Sequence, residues 1–233
     1  MVEKYITAPY EIHEDGSVSV DGGVNLSFQG LVEIPFQFRV VTGDFYCYHN
    51  RLTSPKGAPQ SVGGYFYCSH NQLTSLEGAP QSVGGNFYCF DNQLASLDGA
   101  PQSVDGYFNC YGNNLNFTIE DYISFYNLEV FEDGYIVYKR VSCDFKTQER
   151  TNNETLWLPG TTVEVPLWNV EEECGEGKFH ACFDKAHCDN FRDVAGDKYV
   201  KIKVRAEDMY VFPNPGCLEK IAFRRGFVVE EIA

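Results

Sequence analysis

Positive charge is in short supply in this chain. Against 33 Asp and Glu it carries 18 Lys and Arg, for a formal net charge of −15. Both halves share the deficit: up to Tyr126 there are 4 basic and 13 acidic residues, and beyond it 14 and 20. That balance repels nucleic-acid phosphates and disfavours direct DNA or RNA binding. It suits a basic protein surface, including a nucleic-acid-binding site that the chain would block. Long apolar runs are also missing, and none approaches the ~20 residues of a membrane-spanning helix. The start, MVEKYITAPYEIHEDG, has no apolar core behind a basic end, so neither a secretory leader nor a membrane partner is expected. Cysteine is not scarce, but its count of 9 is odd. A secreted disulfide framework is therefore not indicated, and free thiols in a reducing, cytosolic setting are expected.

What the chain does have is repetition. Cys47, Cys68, Cys89 and Cys110 recur every 21 residues, each at the same place in a repeated sentence. The copies run GDFYCYHNRLTSPKGAPQSVG from Gly43, GYFYCSHNQLTSLEGAPQSVG from Gly64 and GNFYCFDNQLASLDGAPQSVD from Gly85, with a decaying fourth copy from Gly106. A fixed period near 20 residues marks a solenoid, and a solenoid directs attention to the surface its repeats build together. Each copy has the register Phe-x-Cys-x-x-Asn-x-Leu, as in Phe66, Cys68, Asn71 and Leu73. Phe66 and Cys68 point inward from a short strand, Asn71 bonds backbone groups as the chain turns, and Leu73 closes the core. Leu76 and Val83 add core positions on a segment whose Gly and Pro predict an irregular convex side. In the first copy Pro55-Lys56 replaces Leu-Glu, and looser packing is expected there.

The register resembles the leucine-rich-repeat consensus, with Phe and Cys in two of its Leu positions. Upstream, 22–31 fits the same register with Val24 for the Phe and Leu26 for the Cys. The alternating run 15–21 before it predicts a strand, and together they read as an N-terminal cap. Downstream, 118–126 reads as a helix with Thr118 as N-cap and Asp121 three residues on, closing the solenoid. The expected organisation is a cap and degenerate first repeat over 1–42, a solenoid with its capping helix over 43–126, and a third segment over 127–233.

The cysteine ladder is best explained as core, a small hydrophobe fitting beside bulky Phe. One thiol per rung makes a poor tetrahedral metal site, and parallel ladder side chains do not turn toward one another as a disulfide requires. Fixing Cys inside puts alternate residues outside. Tyr46, Tyr67 and Tyr88 form one outward column, Tyr48, Phe90 and Tyr111 the next, with Tyr65 and Tyr107 beside them and His49, His70 and Asp91 at the edge. A contiguous aromatic stripe on a concave face is what interaction hot spots use. The competing reading is that the stacked rings only stabilise their neighbours.

The run 15–27, followed by Phe-x-Cys-x-x-Asn-x-Leu-Thr-Ser-Leu-x-Gly-Ala-Pro-x-x-Val-Gly-Gly units, looks like the leucine-rich-repeat proteins of tailed bacteriophages, over residues 10–126. The resemblance implies a phage accessory protein working in the host bacterial cytoplasm; in that setting an acidic binder suits interference with a host protein, an enzyme or a defence complex. It implies no catalytic activity.

Beyond Asn127 the period vanishes. Apolar runs around Glu132-Asp133-Gly134 read as a hairpin, 161–165 and 199–204 as strands, 184–193 as a helix capped by Asp184, and 221–229 as a final hairpin. A small domain with both helices and strands follows, so the expected fold class is α+β: a leucine-rich-repeat-like β solenoid and then a small α+β domain. Its chemistry concentrates at Cys174, His180, Cys182 and Cys188, which offer four ligands for a structural zinc, with His187 or Cys217 as substitutes. The spacing matches no familiar finger, and small core thiols with a hydrogen-bonded His180 are the plainer alternative. No other cofactor is indicated. The segment 156–230 resembles a small phage-associated domain of unassigned function. The Gly177-Lys178-Phe179-His180 box is loosely similar to ADP-ribosyltransferase-like folds, which would make His180 a ribose-binding catalytic residue, with Tyr199 and Glu230 as helpers. Three functions therefore stand: a binding protein, an enzyme centred on His180, and a virion or assembly component.

Overall fold

The structure, a computed structural model, describes residues 3, 5–116, 118–126, 128, 130–131, 134–147, 154–166, 168, 178–210, 218 and 220–233. It is mostly β, with one α-helix among the described residues. The chain divides into two compact units, 1–116 with 214–218, and 117–213 with 219–233. The helix Ile119–Tyr126 is counted with the second unit.

The first unit is a β-solenoid of 21-residue period. Phe45–Tyr46, Phe66–Tyr67, Phe87–Tyr88 and Phe108–Asn109 pair in parallel, like on like, with Val24–Asn25 adding the first rung. The sequence places an irregular side opposite this ladder. The structure instead has a second parallel ladder there, Phe38–Val41, Ser61–Val62, Ser82–Val83 and Ser103–Val104, joined by Val18–Val20. Two-residue strands are too short for a periodicity to reveal, although the repeated Gln-Ser-Val marks them. The antiparallel strand Tyr10–Ile12 covers the first edge of that ladder, as a cap should.

The inward set is as the register requires. Phe45, Phe66 and Phe87, Cys47, Cys68, Cys89 and Cys110, and Leu52, Leu73 and Leu94 are fully buried, with Phe108 nearly so. The Phe rings stack at 5.6, 5.3 and 4.7 Å between centroids. Pro55 is itself buried, so the substituted rung keeps an apolar side chain in the core position. Burial pushes the thiols of Cys47, Cys68 and Cys89 far above the usual range. A thiol that cannot ionise is inert, which fits the core role of the ladder.

Asn50, Asn71, Asn92 and Asn113 hold successive coils together. Asn71 Nδ2 donates to the carbonyls of Cys68 and Cys47, 3.0 Å each, and Asn71 Oδ1 accepts from Leu52 N–H at 3.0 Å. Asn92 repeats the set one coil on. A buried side chain with donor and acceptor ends thus satisfies backbone groups that the turn leaves unpaired.

The second unit is built on an eight-stranded antiparallel sheet. Gly134–Val141 pairs with Lys198–Arg205 over its whole length. Lys198–Arg205 pairs in turn with Arg225–Ile232, and that strand with Thr162–Glu164. On the other side Gly134–Val141 meets Phe179–Cys182, then Lys220–Phe223, then Met209–Tyr210. Val130–Phe131 pairs back on Gly134 and Tyr135, the hairpin the sequence predicts. Two expectations fail here. The helix over 184–193 is a 3-10 helix, Lys185–Asn190, with Asp184 as its N-cap through a 2.9 Å bond from Ala186 N–H. The described residues of the second unit are mostly β, with the helix Ile119–Tyr126 and short 3-10 pieces, so the expected small α+β domain is not shown.

The last two strands are also not a hairpin. Four pairing steps separate Lys220–Phe223 from Arg225–Ile232, about 19 Å in a flat sheet, yet Arg224 alone connects them. The sheet must curl. Arg224 N–H donates to Asp208 O at 2.7 Å and its guanidinium to Asp208 Oδ1 at 2.7 Å, pinning the corner. Trp157, fully buried, fills the inside against Phe179 and Phe223, with Nε1 donating to Thr147 Oγ1 at 2.8 Å.

Candidate functional site

The outward face of the Phe-Tyr ladder carries the aromatic columns that the register predicts. Tyr46, Tyr48, Tyr67, Tyr88, Phe90 and Tyr107 are half-buried, while Tyr65 and Tyr111 are exposed at 45% and 58%. The rings form one packed strip. Tyr48 meets Tyr67 at 4.9 Å, Tyr67 meets Tyr88 at 4.8 Å, and Phe90 stands edge-on to Tyr67 at 5.7 Å. Ser69 interrupts the second column and is fully buried, so Tyr48 and Phe90 close over it toward Tyr67.

Polar partners orient the rings. Tyr46 O–H donates to Asp44 Oδ2 at 2.7 Å, and Asn86 Nδ2 donates to Tyr88 Oη at 2.6 Å. The same two residues bind the next coil, Asp44 Oδ1 accepting from Tyr65 N–H and Asn86 Oδ1 from Tyr107 N–H. Burial, then the Asp44 carboxylate, pushes the Tyr46 phenol up to about 12. It stays neutral and keeps donating at any physiological pH.

A further column lies beside the tyrosines. Phe28, His49, His70 and Asp91 have φ between 52° and 59°, the left-handed region, and Gly112 continues them at 69°. Holding bulky residues there costs of order 1 kcal/mol each. The ladder bonds continue through the turn, with His49 N–H donating to Ser69 O and His70 N–H to Phe90 O, both at 3.1 Å. The rings stack: Phe28 on His49 at 4.6 Å and 14°, and His49 on His70 at 4.2 Å and 14°. His70 Nδ1 lies 3.4 Å from Asp91 Oδ2. Phe28, exposed at 66%, extends the strip by one coil; its 21-residue distance from His49 was the signal for it.

In the second unit, His180 lies on the strand Phe179–Cys182 and lines a cavity of about 250 Å³ with Cys182 and Cys188. The sequence therefore groups these three correctly, while Cys174 and Cys217 lie outside the described residues. Lys139, for which the sequence gives no signal, shares the cavity. Its Nζ donates to His180 O at 2.6 Å and lies 5.0 Å from the Trp157 ring. Arg140, Arg192 and Lys220 also line the cavity, and among the described residues no carboxylate does. Burial lowers the Lys139 ammonium to about 8, against the pull of the two thiols. Burial, then the charges of Lys220, Lys139 and Lys178, holds the His180 imidazole down at about 3.

That environment limits what His180 can do. It is neutral at physiological pH and too weak a base to take a thiol proton. Tyr199 and Glu230 do not line its cavity: the Tyr199 hydroxyl donates to Asp189, and Glu230 lies 3.6 Å from Lys201. The helpers an ADP-ribosyltransferase-like centre would need are not brought to His180. Among the described residues no three His, Cys, Asp or Glu side chains converge as a metal cage. The surrounding cations would also oppose a divalent metal at Cys182 and Cys188.

Comparison with protein-family models, with curated proteins and with solved structures returns no match. Among the described residues no helix is long and apolar enough to cross a membrane.

Proposed function

We propose that the chain is a protein-binding module whose outward aromatic strip on the Phe-Tyr ladder docks a partner protein. The observation that carries this reading is a strip of packed, partly exposed rings from Phe28 to Phe90, with the exposed Tyr65 and Tyr111 on the same face. Such rings offer large contact area at little entropy, because the neighbouring coils already hold them. Their hydroxyls and the imidazoles of His49 and His70 supply polar contacts at the rim. The net charge of −15 favours a partner with a basic surface. The leucine-rich-repeat-like register and the phage resemblance favour a bacterial host protein, an enzyme or a defence complex inhibited in the bacterial cytoplasm; the sequence alone supports that finer step.

Capture of the partner from host lysate, identified by mass spectrometry, tests the reading when face variants are compared. Tyr65→Glu with Tyr111→Glu alters exposed rings without touching the core and should abolish capture. Gln81→Glu, exposed next to the Ser-Val ladder, should leave it intact. Capture that survives the double variant, or is lost equally in Gln81→Glu, overturns the aromatic face as the docking surface.

A further inference from the structure

The cavity of the second unit contains a chemistry that the aromatic face does not use. Cys182 ends the strand Phe179–Cys182, and Cys188 sits within the 3-10 helix Lys185–Asn190, which folds back over it. Both thiols line the cavity and are otherwise almost fully buried, 3% exposed each. Cys182 pairs with Tyr138 in the sheet, and Cys188 Sγ–H donates to Tyr138 O at 3.3 Å, so the two cysteines meet at the same rung. Lys139 lines the same cavity as both thiols, and among the described residues no carboxylate does.

The geometry points to Cys188 and Cys182 as a two-thiol site that reduces small hydroperoxides, with Cys188 as the attacking sulfur, Cys182 as the resolving one and Lys139 as the positioning cation. In contrast to the ladder cysteines, whose thiols are pushed up by burial, the Cys188 thiol is held below its usual value by Cys182 and then by Lys139, with burial and the Asp189 carboxylate opposing them. A desolvated cation beside a sulfur favours its thiolate, and the thiolate is the nucleophile. The leaving hydroxide of the first step would form next to the same ammonium. A cavity of about 250 Å³ admits a small peroxide, while the near-complete burial of both sulfurs shuts out bulky thiol reagents.

The steps balance. The Cys188 thiolate attacks one peroxide oxygen, an S–O bond forms, the O–O bond breaks, and the departing hydroxide takes up the proton that Cys188 released, giving water. Cys188 is now a sulfenic acid, oxidised by two electrons, and the peroxide is reduced by two. The Cys182 sulfur then attacks Cys188, an S–S bond forms, the S–O bond breaks, and hydroxide leaves with the Cys182 proton as a second water. One peroxide and two thiols become one disulfide and two waters.

The test uses the full chain and hydrogen peroxide, followed by peptide mapping. The expected product has lost two hydrogens and carries a crosslink between residues 182 and 188. It should form about tenfold faster than oxidation of the exposed Cys143, which serves as the internal benchmark. In Cys182→Ser the oxidised Cys188 has no resolving thiol, and the peptide map should show oxygen gained at residue 188 in place of the crosslink. In Lys139→Met the pH profile of the reaction should move to higher pH, a change that a purely structural lysine would not cause. Oxidation of Cys143 ahead of Cys188, a crosslink to any other cysteine, or an unmoved pH profile overturns the proposal. The wild-type peptide map decides the matter even if a variant does not fold.

Discussion

At the scale of single residues, the buried asparagines tie successive coils of the solenoid together through their backbones. Asn71 bonds the carbonyls of two coils and the N–H of a third position, so it cannot be removed without stranding buried backbone groups. Asn71→Ala should lower unfolding free energy by about 3 kcal/mol in urea denaturation; a loss below about 1 kcal/mol would show that water replaces the amide. His180 gives a pH signature. Its imidazole is held at about 3 when folded, against an ordinary value of 6.5. The unfolded chain therefore binds the proton first, and the stability tied to neutral His180 is complete above pH 6.5 and lost as pH falls toward 3. Thermal melts should show a smaller drop in Tm from pH 7 to pH 5 in His180→Gln than in the wild type; equal drops would contradict the assigned environment. The role of Asn71 was legible in the sequence, because a turn amide recurring every 21 residues has one obvious use. Lys139 was not, because one lysine in an alternating strand looks like any solvated charge.

At the scale of elements, the repeat fixes phase well and shape poorly. Counting from Cys68 inward correctly assigns Phe66 and Leu73 to the core and Tyr65 and Tyr67 to the surface. The same count treats Ser82–Val83 as part of an irregular side, whereas backbone pairing makes it a second ladder. Hydrogen bonding between coils is a property of stacking, which no single copy displays. Glycine enforces that stacking. A Cβ on Gly84 would lie 2.4 Å from Gly63 O, in the corner between the two ladders. Gly84→Ala should therefore force neighbouring coils apart and cost about 2 kcal/mol, read as a lowered denaturation midpoint. An unchanged midpoint would mean that the corner is looser than its backbone contact implies. In the second unit the sequence locates strands but not their partners: the run 221–229 looks like a hairpin, and only the curl at Arg224 separates its halves.

At the scale of the whole molecule, the two units divide the chemistry. The solenoid has a contiguous aromatic surface over thiols that burial keeps inert, and the second unit has a small cationic cavity in an acidic chain. The central claim is that the strip from Phe28 to Tyr111 is where a partner protein sits. Hydroxyl-radical footprinting of the chain with and without its captured partner tests this most directly, since it reads side chains rather than ladder amides that are already bonded. Oxidation of Tyr65, Tyr67, Phe90 and Tyr111 should fall on binding, while the exposed Phe131 and Phe227 of the second unit react unchanged. Protection of Phe131 and Phe227 with the tyrosine strip still reactive would contradict the account.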